Sequence, residues 1–188
     1  MQKLGGGYEG KPSIFDEMTP DDLIMSFFPC TRFEAQILLK FRGEQYQDIN
    51  KSDEFKLNTD LQLHEELHEN YELITKLALI CIKKNLKMVF ENPYSEQHYL
   101  TRYWCLKPAI IDRDRTLDGD YFKKPTQYWF INCEPKQNII FEPIEWVPRA
   151  RVAGGGIKGI GQTTGRSMIH PQYANRFIRK YLIDWRQE

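Results

Sequence analysis

Two apolar runs organise the first half of the chain: Leu23-Ile24-Met25-Ser26-Phe27-Phe28, stopped by Pro29, and Leu86-Lys87-Met88-Val89-Phe90. Runs that do not alternate with polar residues predict strands buried on both faces, as in a parallel sheet. Between them Glu34 to Phe41 reads as a helix and Gly43 with Asn50 as a loop. Leu57 to Lys84 is the strongest helical stretch, with Asn85 as its cap. Strand, long helix, strand is a βαβ unit, and its handedness rule makes the two strands parallel neighbours. Ser95 to Tyr103 predicts a short helix. Thr126 to Asn132 and Asn138 to Phe141 predict two strands around a turn at Glu134-Pro135-Lys136. Ala153 to Gly165 is glycine-rich, and Pro171 is placed to open a last helix. On a 100° wheel that helix divides in two. Tyr173, Ala174, Phe177, Ile178, Tyr181, Leu182 and Trp185 fill one half; Arg176, Arg179, Lys180 and Arg186 fill the other.

The 188 residues and 22.4 kDa predict one domain, organised as an N-terminal arm (1–20), an α/β domain (21–150) and a glycine-rich loop with a basic amphipathic helix (151–188). The expected fold class is α/β: a reduced Rossmann-like, methyltransferase-like parallel sheet with flanking helices and a basic C-terminal helix. At 41% apolar and 13% aromatic the chain can bury a core. The longest apolar run, Leu77 to Ile82, is too short to span a bilayer, and the N-terminus has no signal-peptide core. Four cysteines without CxxC spacing argue against a disulfide scaffold and for reduced thiols. A cytoplasmic protein without membrane contact is the expectation.

Net charge is zero but unevenly spread. From Trp146 onward eight basic residues oppose Asp184 and Glu188, a net of +6 that leaves −6 on residues 1–145. Arg166, Arg176, Arg179, Lys180 and Arg186 are therefore candidate phosphate contacts on DNA or a nucleoprotein. The competing reading docks this helix on its own acidic domain.

Ligand sites in open α/β sheets lie beyond the carboxyl ends of parallel strands. The first such end carries Pro29-Cys30-Thr31, with Arg32 placed to stabilise a thiolate; the second carries Glu91-Asn92-Pro93. A separate motif, His64-Glu65-Glu66-Leu67-His68, spells the HExxH pattern of zinc peptidases. The wheel puts His64 and His68 on one face with Leu57, Leu61, Tyr71 and Ile82, the side expected to pack inward. Two core histidines and a zinc site are both compatible with that placement.

Phe27-Phe28-Pro29-Cys30-Thr31 and Glu91-Asn92-Pro93, in that order, resemble the DNA cytosine-5 methyltransferases, and more closely a divergent group from phages and prophages. The resemblance extends through LKMVFENPYSEQHYLTRYW, KPAIIDRDR, GDYFKKPTQYWFIN and RSMIHPQYANRFIRKYL, so it covers most of the chain. It implies that Cys30 attacks C6 of a flipped cytosine and that Glu91 binds N3 and the exocyclic amine. Arg113 and Arg115 would match a later Arg-x-Arg motif that supports the base pocket. Pro93 departs from the valine of the classical enzymes. The strand and glycine turn that bind S-adenosylmethionine have no counterpart in residues 1–20. The chain thus reads as a catalytic-motif half, with no cofactor expected in the isolated chain and S-adenosylmethionine only if it acts as an enzyme. A non-catalytic protein that binds nucleic acid or a host nucleoprotein is expected, for example as an anti-CRISPR-like inhibitor of host defence. A catalytic half needing a cofactor-binding partner and a zinc metallopeptidase are the alternatives.

Overall fold

A computed structural model describes residues 12–34, 37–150 and 167–184. Its sheet has four strands: β1 (Leu23–Phe27), β2 (Lys87–Pro93), β3 (Ile110–Asp112) and β4 (Thr126–Ile131), in the order β1-β2-β4-β3. The helices are α1 (Ile14–Glu17), α2 (Ile37–Phe41), α3 (Asp53–Lys84), α4 (Tyr99–Tyr103) and α5 (Pro171–Tyr181), with a 3₁₀ turn at Arg115–Asp118. The protein is thus a mixed α/β fold with helices flanking a mixed sheet.

The β1–α3–β2 unit forms as the sequence predicts, with β1 and β2 parallel and Phe27 opposite Glu91. The sheet as a whole is not parallel, which corrects the expectation: β4 lies antiparallel to both β2 and β3. A fold read only from its βαβ unit could not show this, because β4 enters from a loop rather than from a crossover helix. Nor is β1 buried on both faces. It is an edge strand with exposed ends and half-buried middle residues, whereas β2 has β1 on one side and β4 on the other and is buried through Asn92.

Alternation along β2 and β4 separates two cores. Met88, Phe90, Trp129 and Ile131 pack with Ile74, Ala78 and Cys81 of α3 and with Trp104; Phe90 stacks on Trp129 at 4.8 Å. Val89 and Tyr128 face the other way and pack with Tyr173 and Phe177 of α5. Helix α3 begins at the Ser52 cap, whose hydroxyl accepts from the Phe55 amide at 3.2 Å, and ends at Asn85 in the left-handed region (φ 54°). Asn132 binds the carbonyls of Cys81 and Leu86 with its side-chain amide, tying the end of β4 to the end of α3.

The predicted strand Asn138–Phe141 is irregular chain. Its donors serve α5 instead: the Asn138 amide binds the Lys180 carbonyl at 2.8 Å, and its side chain binds the carbonyls of Arg179 and Ile183. The carbonyls at the end of a helix lack intrahelical donors. This segment supplies them, at the expense of a fifth strand. At the other end of α5, Pro171 sits in the first turn and His170 Nδ1 accepts from the Gln172 amide at 3.1 Å.

The inward face of α3 differs from the one the wheel suggested. Ile74, Ala78 and Cys81 pack on the sheet and Leu63 is buried as well, while Leu57 and Leu61 are 66% and 71% exposed and Ile82 is half exposed. The helix is wetted along much of its length, so its periodicity alone could not say which apolar stripe docks. No described helix is long and apolar enough to cross a membrane.

Candidate functional site

The two sequence motifs meet at one end of the sheet. Cys30 follows β1, and Glu91 lies within β2 rather than past it, opposite Tyr128 of β4. Glu91 points to the α5 face because its neighbours Phe90 and Asn92 take the opposite one. It is 94% buried, and its Oε1 has no hydrogen-bond partner. Burial pushes its carboxyl above the usual range, opposed by the nearby charges of Lys124 and Arg115.

Arg115 is the buried cation of the site. It is wholly inaccessible, pairs with buried Asp120, and its Nη1 stands 4.0 Å from Glu91 Oε1. Its guanidinium lies over the Tyr173 ring at 4.6 Å. The Tyr173 hydroxyl bonds Asp112 Oδ2 at 2.9 Å and meets the Tyr128 hydroxyl at 2.8 Å. Asp120 also accepts from the His170 amide at 3.0 Å, which fixes the start of α5. Glu91, Arg115, Asp120, Tyr128 and Tyr173, all buried, and half-buried Asp112 therefore form one polar cluster, drawn from β2, β3, β4, the 3₁₀ turn with the residues just past it, and α5. Gly119 (φ 89°) permits the close approach: a Cβ there would meet Gln172 at 2.6 Å.

The Arg-x-Arg pair divides. Arg113 is exposed and lies over the Tyr94 ring at 5.2 Å, while Arg115 enters the cluster. Extended chain would put residues two apart on one side; the chain instead bends after β3, and Arg115 opens the 3₁₀ turn, which turns its side chain inward.

Cys30 is near enough to Glu91 and Lys124 for both charges to act on its thiol. The thiol donates to Glu34 Oε1 at 3.0 Å, and burial with that carboxylate pushes it up to about 12. The expected stabilisation by Arg32 does not occur, because Arg32 pairs with Glu66 across the gap to α3. Cys30 rests as a thiol.

The opposite face of the same sheet end is polar too. Gln127 donates to the Pro93 carbonyl at 2.8 Å and bonds Thr101 at 2.9 Å; buried His98 lies beside it and burial holds its ring down at about 4. These bonds tie the end of β2 to β4 and α4.

The inward placement of the two α3 histidines is overturned. His64 and His68 lie on the exposed side of α3, where His64 packs on Phe41 and sits 3.7 Å from Asp60. Neither a core role nor an inward-facing zinc pair fits that face, and no three metal-ligating side chains come together among the described residues. The described cations on the basic half of α5 pair with acids of the same domain. Arg176 pairs with Asp118 and donates to the Glu142 carbonyl, Arg179 pairs with Glu142, and Lys180 reaches Asp118 at 3.5 Å. The tail docks on acids of its own domain. Arg166, Arg186 and the glycine-rich 153–165 lie outside the described residues.

Sequence reasoning missed Asp112, Asp120, Tyr128 and Tyr173. Tyr173 stood on the apolar half of the α5 wheel, and nothing in that position distinguishes a core tyrosine from one that binds a carboxylate. No family model, curated protein or solved structure matches the chain.

Proposed function

We propose that the chain is a DNA cytosine-5 methyltransferase-like protein that receives one extruded base of a nucleic acid at Glu91 and does not transfer a methyl group by itself. The observation that supports this is the buried Glu91 carboxyl with an unsatisfied oxygen, beside Arg115 and at the sheet end shared with Cys30. A buried polar atom left unpaired is costly, so a ligand that satisfies it gains that free energy. A carboxyl raised above its usual range can share a proton with a ring nitrogen and accept from an exocyclic amine, the pairing edge of cytosine. The β1–α3–β2 unit serves as the parallel part of a reduced Rossmann-like sheet.

No described strand runs through a glycine-rich turn into a helix: β1 leads to Pro29-Cys30-Thr31, β2 to Tyr94-Ser95, β3 to Arg113-Asp114 and β4 to Asn132-Cys133. The state of Cys30 agrees with a non-catalytic role, since a thiol near 12 gives a thiolate fraction on the order of 10⁻⁴ at pH 8.

A second reading, a catalytic half completed by a cofactor-binding chain, is favoured by the placement of Cys30 beside Glu91. In that reading the Cys30 thiolate adds to C6 and C5 takes up the proton, which closes the addition without any other reactant. The two readings separate in one experiment. Wild type and Glu91→Gln are mixed with duplex DNA carrying one mispaired cytosine, and with the same duplex carrying a 2-pyrimidinone, a base that thiolates add to. The non-catalytic reading expects Glu91-dependent binding without a covalent adduct. An adduct at Cys30 establishes the second reading, and binding indifferent to Glu91→Gln overturns both.

A further inference from the structure

We propose that Tyr173 is a positioning residue for the base-binding carboxyl: from α5 it holds Arg115 between Asp120 and Glu91, so that docking of the C-terminal helix sets the geometry of the site. The inference rests on the reading of Glu91 as the base ligand.

A guanidinium at the end of a flexible stem has two edges and two faces to fix. Asp120 pairs with Nη2 of Arg115, and the Tyr173 ring takes one face at 4.6 Å. The ring is fixed in turn by its hydroxyl, held between Asp112 of β3 and Tyr128 of β4. Tyr128 stands opposite Glu91 in the β2–β4 register, so both ends of the chain Glu91–Arg115–Tyr173–Tyr128 return to the same point on the sheet. The remaining groups that act on Glu91 electrostatically include Lys124, which is half-buried and approaches from the turn before β4. The Tyr173 hydroxyl bonds Asp112 and Tyr128 rather than Glu91. Its action passes through Arg115.

A merely structural tyrosine would affect stability and leave Glu91 electrostatically unchanged. The deciding measurement is therefore the ¹³C NMR titration of the Glu91 carboxyl, assigned with Glu91→Gln, in wild type, Tyr173→Leu and Tyr173→Phe. Tyr173→Leu removes the ring beneath Arg115, so the cation loosens and the Glu91 midpoint moves further up. Tyr173→Phe keeps the ring, so Glu91 stays near wild type while Asp112, deprived of its hydroxyl donor, moves up. Binding to the mispaired-cytosine duplex should weaken about tenfold in Tyr173→Leu. An unmoved Glu91 midpoint in folded Tyr173→Leu overturns the proposal. Should Tyr173→Leu not fold, Tyr173→Met, which fills similar space without a ring, decides on the same readouts: a raised Glu91 midpoint with weaker duplex binding supports the proposal, and an unmoved Glu91 midpoint overturns it. If Glu91→Gln binds the duplex as wild type does, the base-binding reading fails while the Glu91 titration still reports on Tyr173.

Discussion

Phe90 and Glu91 are neighbours on β2, yet the two faces they serve are built on different physics. Phe90 enters a ring cluster with Trp104 and Trp129 under α3, where most of the energy follows buried apolar area. Glu91 enters a cluster under α5 whose members are charged or hydroxylic and whose geometry is fixed by named partners. The first face tolerates imperfect fit at modest cost. The second does not, because a buried charge that loses its partner keeps its desolvation penalty. The contrast shows how one strand can anchor a core and present a reactive group. The period of two gives each role its own side.

The largest effects should come from breaking one face at a time. Phe90→Ala should cost about 3–5 kcal/mol through lost transfer energy and a cavity. Arg115→Met should cost about as much, 3–5 kcal/mol, for a different reason: Asp120 is left buried without its cation. Urea unfolding separates the mechanisms. Adding Asp120→Asn to Arg115→Met should recover stability, whereas no second substitution of that kind rescues Phe90→Ala. A cost under about 1 kcal/mol for Arg115→Met would show that the α5 face is held by its rings and not by its charges.

Ionisation of Glu91 sharpens the same contrast. Its folded midpoint lies above its unfolded one, so between the two the native state binds the extra proton. Its contribution to stability accordingly declines as pH rises through that window. Glu91→Gln keeps the shape without the charge. It should match or exceed wild type at pH 7.5 and lose that advantage toward pH 4, as read from unfolding curves across the range. The opposite trend would mean that Arg115 and Lys124 more than offset the burial.

The docking of α5 comes next in size. Replacing Arg176 and Arg179 together with Ala should lower stability by less than Arg115→Met does, and less again at high salt, because Asp118 and Glu142 lose their partners. An unchanged stability, with the slope of DNA affinity against salt flattened by about two units, would restore these arginines as phosphate contacts. The smallest effect belongs to His64→Ala with His68→Ala. On the exposed face of α3 the pair should shift stability by no more than about 0.5 kcal/mol, as measured by thermal unfolding.

Local rules were enough for the elements whose signals are carried by adjacent residues. The β1–α3–β2 unit, the Asn85 cap and the Pro171 start of α5 follow from apolar runs, a left-handed cap and a fixed φ, all properties of a few consecutive positions. The joint placement of Cys30 and Glu91 at one sheet end was also legible, since parallel neighbours necessarily bring their carboxyl ends together. Three things were decided only in the folded molecule. The side on which α3 docks depended on how deeply it is covered, which leaves Leu57, Leu61, His64 and His68 in solvent. The state of Cys30 depended on which carboxylate it reached, Glu34, and on which acid drew Arg32 away, Glu66. The cluster around Arg115 depended on β4 pairing antiparallel with β2, which sets Tyr128 against Glu91 and lets α5 lay Tyr173 beneath the guanidinium. A sequence states which charges and rings a chain possesses. Which of them become partners is a matter of long-range packing, because a buried ion takes whichever counter-charge the fold brings within a few ångströms.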